Sequence, residues 1–212
     1  MVATKAVGGL RWWPVYRIPS FLSGRLLLYR GSKRDYEELS RFHYLPKRPA
    51  TWAEVWVVRY EEDGVRGEGS GARVERSRTV GVGVLSYPTL SHWEREAVLG
   101  LTRLSDQARV RFVNEQVRTI SRVVVHPTFR SLGLARVLVR CMLHHCPTRY
   151  VEAMAVMGRA HPFFELAGMK RVEVEAMPEG RPVYYLYDRK SRGQGGEGEW
   201  GYSICDYRFV AR

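Results

Sequence analysis

Apolar positions recur along the chain with two periods. Residues 25–30 (RLLLYR), 52–60 (WAEVWVVRY) and 149–156 (RYVEAMAV) are short β-branched and aromatic runs, which predict strands. Gly31 closes the first of them. Over residues 79–87 Val80, Val82 and Val84 alternate with Gly81 and Gly83. That pattern fits a strand that another backbone or a ligand approaches closely, or one that needs packing space. The run TISRVVV over 119–125 predicts a buried strand, ended by Pro127, which has no N–H for a ladder. Residues 170–175 and 182–188 predict two closing strands.

The helical period appears elsewhere. Leu134, Val137, Leu138, Cys141 and Met142 share one face, and Pro147 stops that helix. Tyr36, Leu39, Phe42 and His43 make an apolar face over 33–43, with Ser32 and Asp35 as alternative N-caps. Ser91 and Glu94 form a capping box for a short helix over 92–99. Pro162 and Gly168 bracket another. The remainder of 88–117 is polar and unpatterned, with Arg103, Arg109 and Arg111.

Three segments fall outside this order. Residues 1–24, rich in Trp, Tyr and Pro, predict an extension packed on the domain or a partner surface. Residues 61–78, glycine-rich and charged, predict a mobile hairpin loop. Residues 189–212 predict a linker and an aromatic tail that pairs back as an edge strand. The domain is therefore expected over 25–188, as one mixed α/β (α+β) sheet with helices on both faces.

Composition changes this picture little. A chain of 212 residues, 45% hydrophobic and 26% charged, is long enough for one large domain. No apolar run approaches membrane-spanning length, and Trp12, Trp13 and Pro14 interrupt any signal-peptide core, so a cytoplasmic, non-membrane protein is expected. Charge matters more. A net charge of +12 favours acidic partners, among them nucleic acid and anionic cofactors. Three cysteines suit a reducing compartment. Cys141, His144, His145 and Cys146 are better explained as a packed helix end than as a metal site, since no second ligand pair follows.

The candidate chemistry lies where the central strand passes through a glycine-bearing loop into a helix. Such a junction points unpaired amides and a positive helix end at a phosphate. Neither a Walker nor a Rossmann glycine pattern is present. What stands there is Arg130-x-x-Gly133-x-Ala135 after Val125-His126-Pro127. This resembles the [Q/R]-x-x-G-x-[G/A] motif of the GNAT superfamily of acyl-CoA N-acyltransferases. Ala160-His161-Pro162-Phe163-Phe164-Glu165-Leu166-Ala167-Gly168-Met169 is similar to the segment that ends that family's core. A narrower resemblance, carried by 35–44 and 149–153, is to the acetyltransferase-like domain fused to ABC-type ATPases in archaeal and bacterial proteins. No Walker motif occurs here, so an ATPase would be absent or a separate chain.

The resemblance implies a mostly antiparallel mixed sheet with a splayed central strand pair, and acetyl-CoA or another acyl-CoA as cofactor. It implies that Val123, Val124 and Val125 meet the pantetheine, and that Arg130, Ser131, Leu132, Gly133, Leu134 and Ala135 hold the pyrophosphate. The irregular stretch before the central strand would lie near the acceptor, an amine on a protein, RNA or small molecule. Phe164 stands at the cofactor where many members carry a tyrosine that protonates the thiolate. Ser121 and Arg122 stand where a basic glutamate is common. Two groups are left as catalytic candidates. Glu152 is either a base or the partner of Arg149 or Arg122, and His161 either acts through water or caps a helix. A catalytically weak module that binds CoA, nucleic acid or a protein is the alternative reading.

Overall fold

The computed structural model describes residues 4–5, 13–14, 16–18, 22–44, 48–62, 65–66, 73–74, 77–173 and 181–193. In it the alternating runs become strands β1 (Tyr16–Ile18), β2 (Arg25–Arg30), β3 (Glu54–Glu61), β4 (Ser77–Ser86) and β5 (Val117–Val125). Strands β6 (Tyr150–Ala155), β7 (Lys170–Val172) and β8 (Val183–Asp188) follow. They form one eight-stranded sheet in the order β7-β8-β6-β5-β4-β3-β2-β1. Every neighbouring pair is antiparallel except β5 with β6. This is the mixed, mostly antiparallel sheet that the sequence predicts, with β1 as a further edge strand drawn from the N-terminal stretch.

Among the described residues five α-helices cover the two faces: α1 (Lys33–Leu39), α2 (Trp93–Val98), α3 (Asp106–Gln116), α4 (Leu134–His145) and α5 (Phe163–Leu166). On one face Leu138, Val139, Cys141, Met142 and Leu143 of α4 and Phe164 of α5 enter the main core with Trp56, Val58, Val151 and Ala153. On the other, Tyr36 and Leu39 of α1 pack on Val82, Val84 and Val124, while Leu99 and Phe112 pack near Val117, Tyr150 and Tyr184. The glycines of β4 make room for α4. A Cβ on Gly83 would lie 2.7 Å from Met142 Cε, and one on Gly81 would lie 3.2 Å from Leu138 Cδ1. Packing space is the reading the structure selects.

Several local expectations change. Ser32 is the N-cap of α1, and Asp35 is the residue that reaches back, its Oδ2 accepting from Ser32 N–H (2.7 Å) and Ser32 Oγ (2.9 Å). At α2 the carboxylate that reaches back is Glu96, accepting from His92 N–H and Ser91 Oγ at 3.2 Å each, and not Glu94. Helix α3 occupies the stretch that shows no pattern in the sequence. Val113 is its one buried side chain, so it carries almost no stripe for a periodic reading to find. Its signal was the cap, Ser105 Oγ accepting from Ala108 N–H at 3.4 Å.

Within the expected 61–78 loop, Val65–Arg66 pairs with Arg73–Val74, and much of the remainder lies outside the described residues. At the start of the expected linker, Arg189 donates to the carbonyls of Leu143 (3.2 Å) and His144 (3.1 Å) at the end of α4. Residues 194–212, including the aromatic tail, lie outside the described residues. Among the described residues no helix is long and apolar enough to cross a membrane.

Candidate active site

The site begins where β5 and β6 part. Their parallel ladder runs from Val117–Tyr150 to Ile120–Ala153 and ends there, although β5 continues to Val125. A bulge marks the place. The register between β4 and β5 passes from Val84–Arg122 to Leu85–Ile120, leaving Ser121 as the extra residue. Ser121 Oγ lies 2.7 Å from Ser86 Oγ, which in turn donates to Thr51 O at 2.6 Å, so side-chain bonds pin the bulge.

The phase of β5 is set by His126 N–H, which donates to Val80 O at 2.9 Å. Alternation along an antiparallel ladder then turns the main-chain groups of Arg122 and Val124 toward β4. Those of Val123 and Val125 face the gap left by β6. This corrects the expectation for Val124: its peptide groups are committed to β4 and its side chain is buried against α1. Val123 and Val125 present main-chain groups at the open edge of β5.

Past the strand, His126 Nδ1 accepts from Thr128 N–H (3.3 Å) and Phe129 is buried against Tyr60, which fixes the turn. Arg130 is exposed and its Nε donates to Val125 O at 3.4 Å. Ser131 (φ 67°) and Gly133 (φ 73°) both take left-handed backbone, and Gly133 caps α4. A Cβ on Gly133 would meet nothing within 4 Å. Glycine is therefore favoured there by its dihedral, and the space beyond it is open. The first intrahelical bond runs from Val137 N–H to Gly133 O (3.1 Å), so the amides of Leu134, Ala135 and Arg136 have no partner within the helix. Leu132 and Leu134 turn their side chains into the core, which anchors the loop.

Positive charge collects at this end. Burial holds the His126 imidazole below its ordinary pKa, and Arg78, Arg41 and Arg130 add to the effect. Unpaired amides, a positive helix end and clustered arginines together suit a polyanion.

The remaining candidates are placed differently from one another. Phe164 is buried, its ring 5.2 Å from that of Tyr185, whose hydroxyl donates to Gly158 O at 3.2 Å. His161 is exposed on the turn between β6 and α5, and its N–H donates to Met157 O at 3.0 Å. Because β5 and β6 are parallel, that turn and the Arg130–Ala135 loop lie at the same end of the sheet.

Glu152 is buried, 3% exposed, on the opposite face from α4. Its Oε1 accepts from Arg95 Nη1 (2.9 Å) and Thr119 Oγ1 (2.7 Å), and its Oε2 from the Tyr184 hydroxyl (2.9 Å). The ion pair left open by the sequence thus forms, but with Arg95, while Arg149 pairs with Asp188 (2.9 Å). A cation and two hydroxyls thus hold both carboxylate oxygens of Glu152 within the network. Burial, then the Glu152 carboxylate, pushes the Tyr184 hydroxyl far above its ordinary value.

Beside this network lie residues that sequence reasoning missed. His92 Nδ1 stands 3.1 Å from Glu94 Oε2, and its ring stacks on Tyr184 with centroids 5.3 Å apart. Nothing in the local sequence joins His92, Arg95, Thr119, Glu152 and Tyr184. Only the sheet register brings them together.

A model of the acetyltransferase (GNAT) family matches residues 35–169. Among solved structures, the chain is similar to an acetyltransferase of the GNAT family from Bacillus cereus ATCC 10987. That match has 16% identity, covers 77% of this chain and 96% of the other, and has a TM-score of 0.44. It is also similar to Ard1 from Thermoplasma volcanium, with 15% identity, 78% and 96% coverage and a TM-score of 0.43. A third similar structure is AtaTR bound with AcCoA, with 15% identity, 78% and 94% coverage and a TM-score of 0.42. No curated protein matches the sequence. The family model covers well over half of the 212 residues, and on that ground the chain belongs to the acetyltransferase (GNAT) family.

Proposed function

We propose that the protein is an acyl-CoA-dependent N-acyltransferase, with acetyl-CoA as its cofactor and an amine as acceptor. The observation that carries this reading is the end of the β5–β6 ladder at Ile120–Ala153, immediately upstream of a left-handed loop that opens α4. In this reading the edge groups of Val123 and Val125 align the pantetheine. The amides from Ser131 to Ala135 receive the pyrophosphate, and Arg130 neutralises it. When bound, the cofactor supplies a thioester carbonyl for attack by the amine. The chain's part is to hold that carbonyl in the gap, keep the phosphates at the loop and manage the proton. Phe164 has no hydroxyl, so the leaving sulfur takes its proton from elsewhere. We assign that step to water, with exposed His161 as its relay. Glu152 is assigned to the buried network.

Acetyl-CoA at a hundredfold excess over Kd is expected to stabilise the protein by about 2.7 kcal/mol, read as a rise in melting temperature. Gly133→Glu, which puts a strained side chain and a negative charge at the loop, is expected to abolish the rise. His161→Ala is expected to keep the rise and slow transfer. Absence of a shift with every acyl-CoA tested removes the reading.

Phe164 also favours a second reading, a module that binds CoA without transferring its acyl group. Incubation with labelled acetyl-CoA and cell extract separates the two, and the labelled fraction names the acceptor class. The net charge of +12 supports a phosphate-bearing acceptor or partner, for which affinity is expected to fall steeply with salt. A partner ATPase rests on the sequence resemblance alone.

A further inference from the structure

We propose that His92 is the group that takes the proton from the acceptor amine, with Glu94 behind it as the positioning residue; this rests on the acyl-CoA reading above. Met154 is the first residue of β6 past the last pair with β5, so it stands at the mouth of the gap. Its side chain is exposed, and it points to the face of Glu152 and α2, away from α4. His92 Nε2 faces the Met154 sulfur at 2.6 Å. The Met154 side chain is unbranched and flexible, so an incoming amine displaces it.

The other ring nitrogen is backed by charge. His92 Nδ1 is buried without a well-aligned hydrogen bond, yet Glu94 Oε2 stands 3.1 Å away and Glu94 is 2% exposed. A slightly misaligned contact of this kind is usual before substrate binds. A carboxylate there favours the tautomer with the proton on Nδ1, which leaves the Nε2 lone pair toward the gap. Tyr184 stacks beneath the ring and fixes its plane, and Glu96 accepts from the His92 N–H. Around the ring stand Glu94, Arg95 and Glu96 on α2, with Glu152 and Tyr184 on the sheet. With the phosphate loop on the α4 side of the gap, the face left for the acceptor is the one that holds His92. Nε2 there accepts the proton shed by the attacking nitrogen as the N–C bond forms and the C–S bond breaks.

Bromoacetyl-CoA tests this without knowledge of the acceptor. If Nε2 lies at the acyl end of the cofactor, it attacks the bromomethyl carbon. A C–N bond forms, bromide leaves, and the imidazolium releases its proton to solvent. Peptide mapping of the full chain is expected to find His92 carrying the CH2–CO–S-CoA group, or its carboxymethyl form once water has hydrolysed the thioester and released CoA. His92→Gln is expected to lose it while keeping the acetyl-CoA melting rise. Glu94→Gln is expected to slow it, and to shift the Nδ1–H tautomer of His92 in nitrogen-15 spectra of the free protein. Label on Met154 or elsewhere, or a melting rise with His92 unmodified, overturns the proposal and leaves the acyl-CoA reading standing. No melting rise overturns both.

Discussion

The two faces of the sheet are held by opposite means. On the α4 face the contacts are apolar and close, with Leu138 and Met142 seated over two glycines of β4. On the α2 face a buried cation, a carboxylate and a phenol from α2, β6 and β8 are tied together by hydrogen bonds. In the proposed function the first face places the phosphate loop and the second lines the side from which an acceptor comes. Dispersion and area hold the one, so its parts are interchangeable in kind. Pairing holds the other, so its parts depend on specific partners.

That contrast can be broken most sharply at Arg95. Arg95→Met leaves Glu152 as a buried charge without its cation, and a loss of about 3–5 kcal/mol is expected in urea unfolding. Arg95→Met with Glu152→Leu is expected to regain most of it, because well-packed apolar groups can replace a buried pair. No recovery would mean that the network stabilises more than its removal costs.

On the apolar face the matching change is Leu138→Ala, at a residue with no exposed surface. Its cost is expected near about 3 kcal/mol, within the range for truncated core leucines. No second-site partner should exist for it. Rescue by a single polar substitution would erase the distinction between the faces.

The smallest effect near neutral pH belongs to His145, a titratable ring on the α4 face, which stacks on Trp56 at 4.6 Å. Burial lowers its pKa from 6.5 to about 4, with His144, Arg30 and Arg189 adding to the shift. Below 6.5 the unfolded chain therefore binds a proton that the folded chain refuses. Stability is expected to fall as pH drops from 6.5 toward about 4, and His145→Gln is expected to flatten that slope in urea titrations. An unchanged slope would place the acid sensitivity on other groups.

How far each region was readable from the residues follows the same division. Strands β2 to β6 were legible as short β-branched and aromatic runs, most of them buried on both faces, and helix α4 because its apolar residues recur every third to fourth position. The loop from Arg130 to Ala135 was legible because a left-handed turn before a helix favours glycine, and Gly133 supplies it. Helix α3 was not, since one buried valine makes no stripe. Nor was the bulge at Ser121, which exists only relative to β4. Glu152 was visible as a charge on a strand, but its arginine lies 57 positions away and was not the one expected.

Local rules of period, capping and dihedral determined from the sequence alone the run of elements, the loop and the likeness to a CoA-binding family. Tertiary structure decided the rest: which edge of β5 faces the gap, which carboxylate meets which cation, and which histidine stands at the mouth. Those depend on register and on contacts between distant segments, where a one-residue shift turns every side chain to the other face.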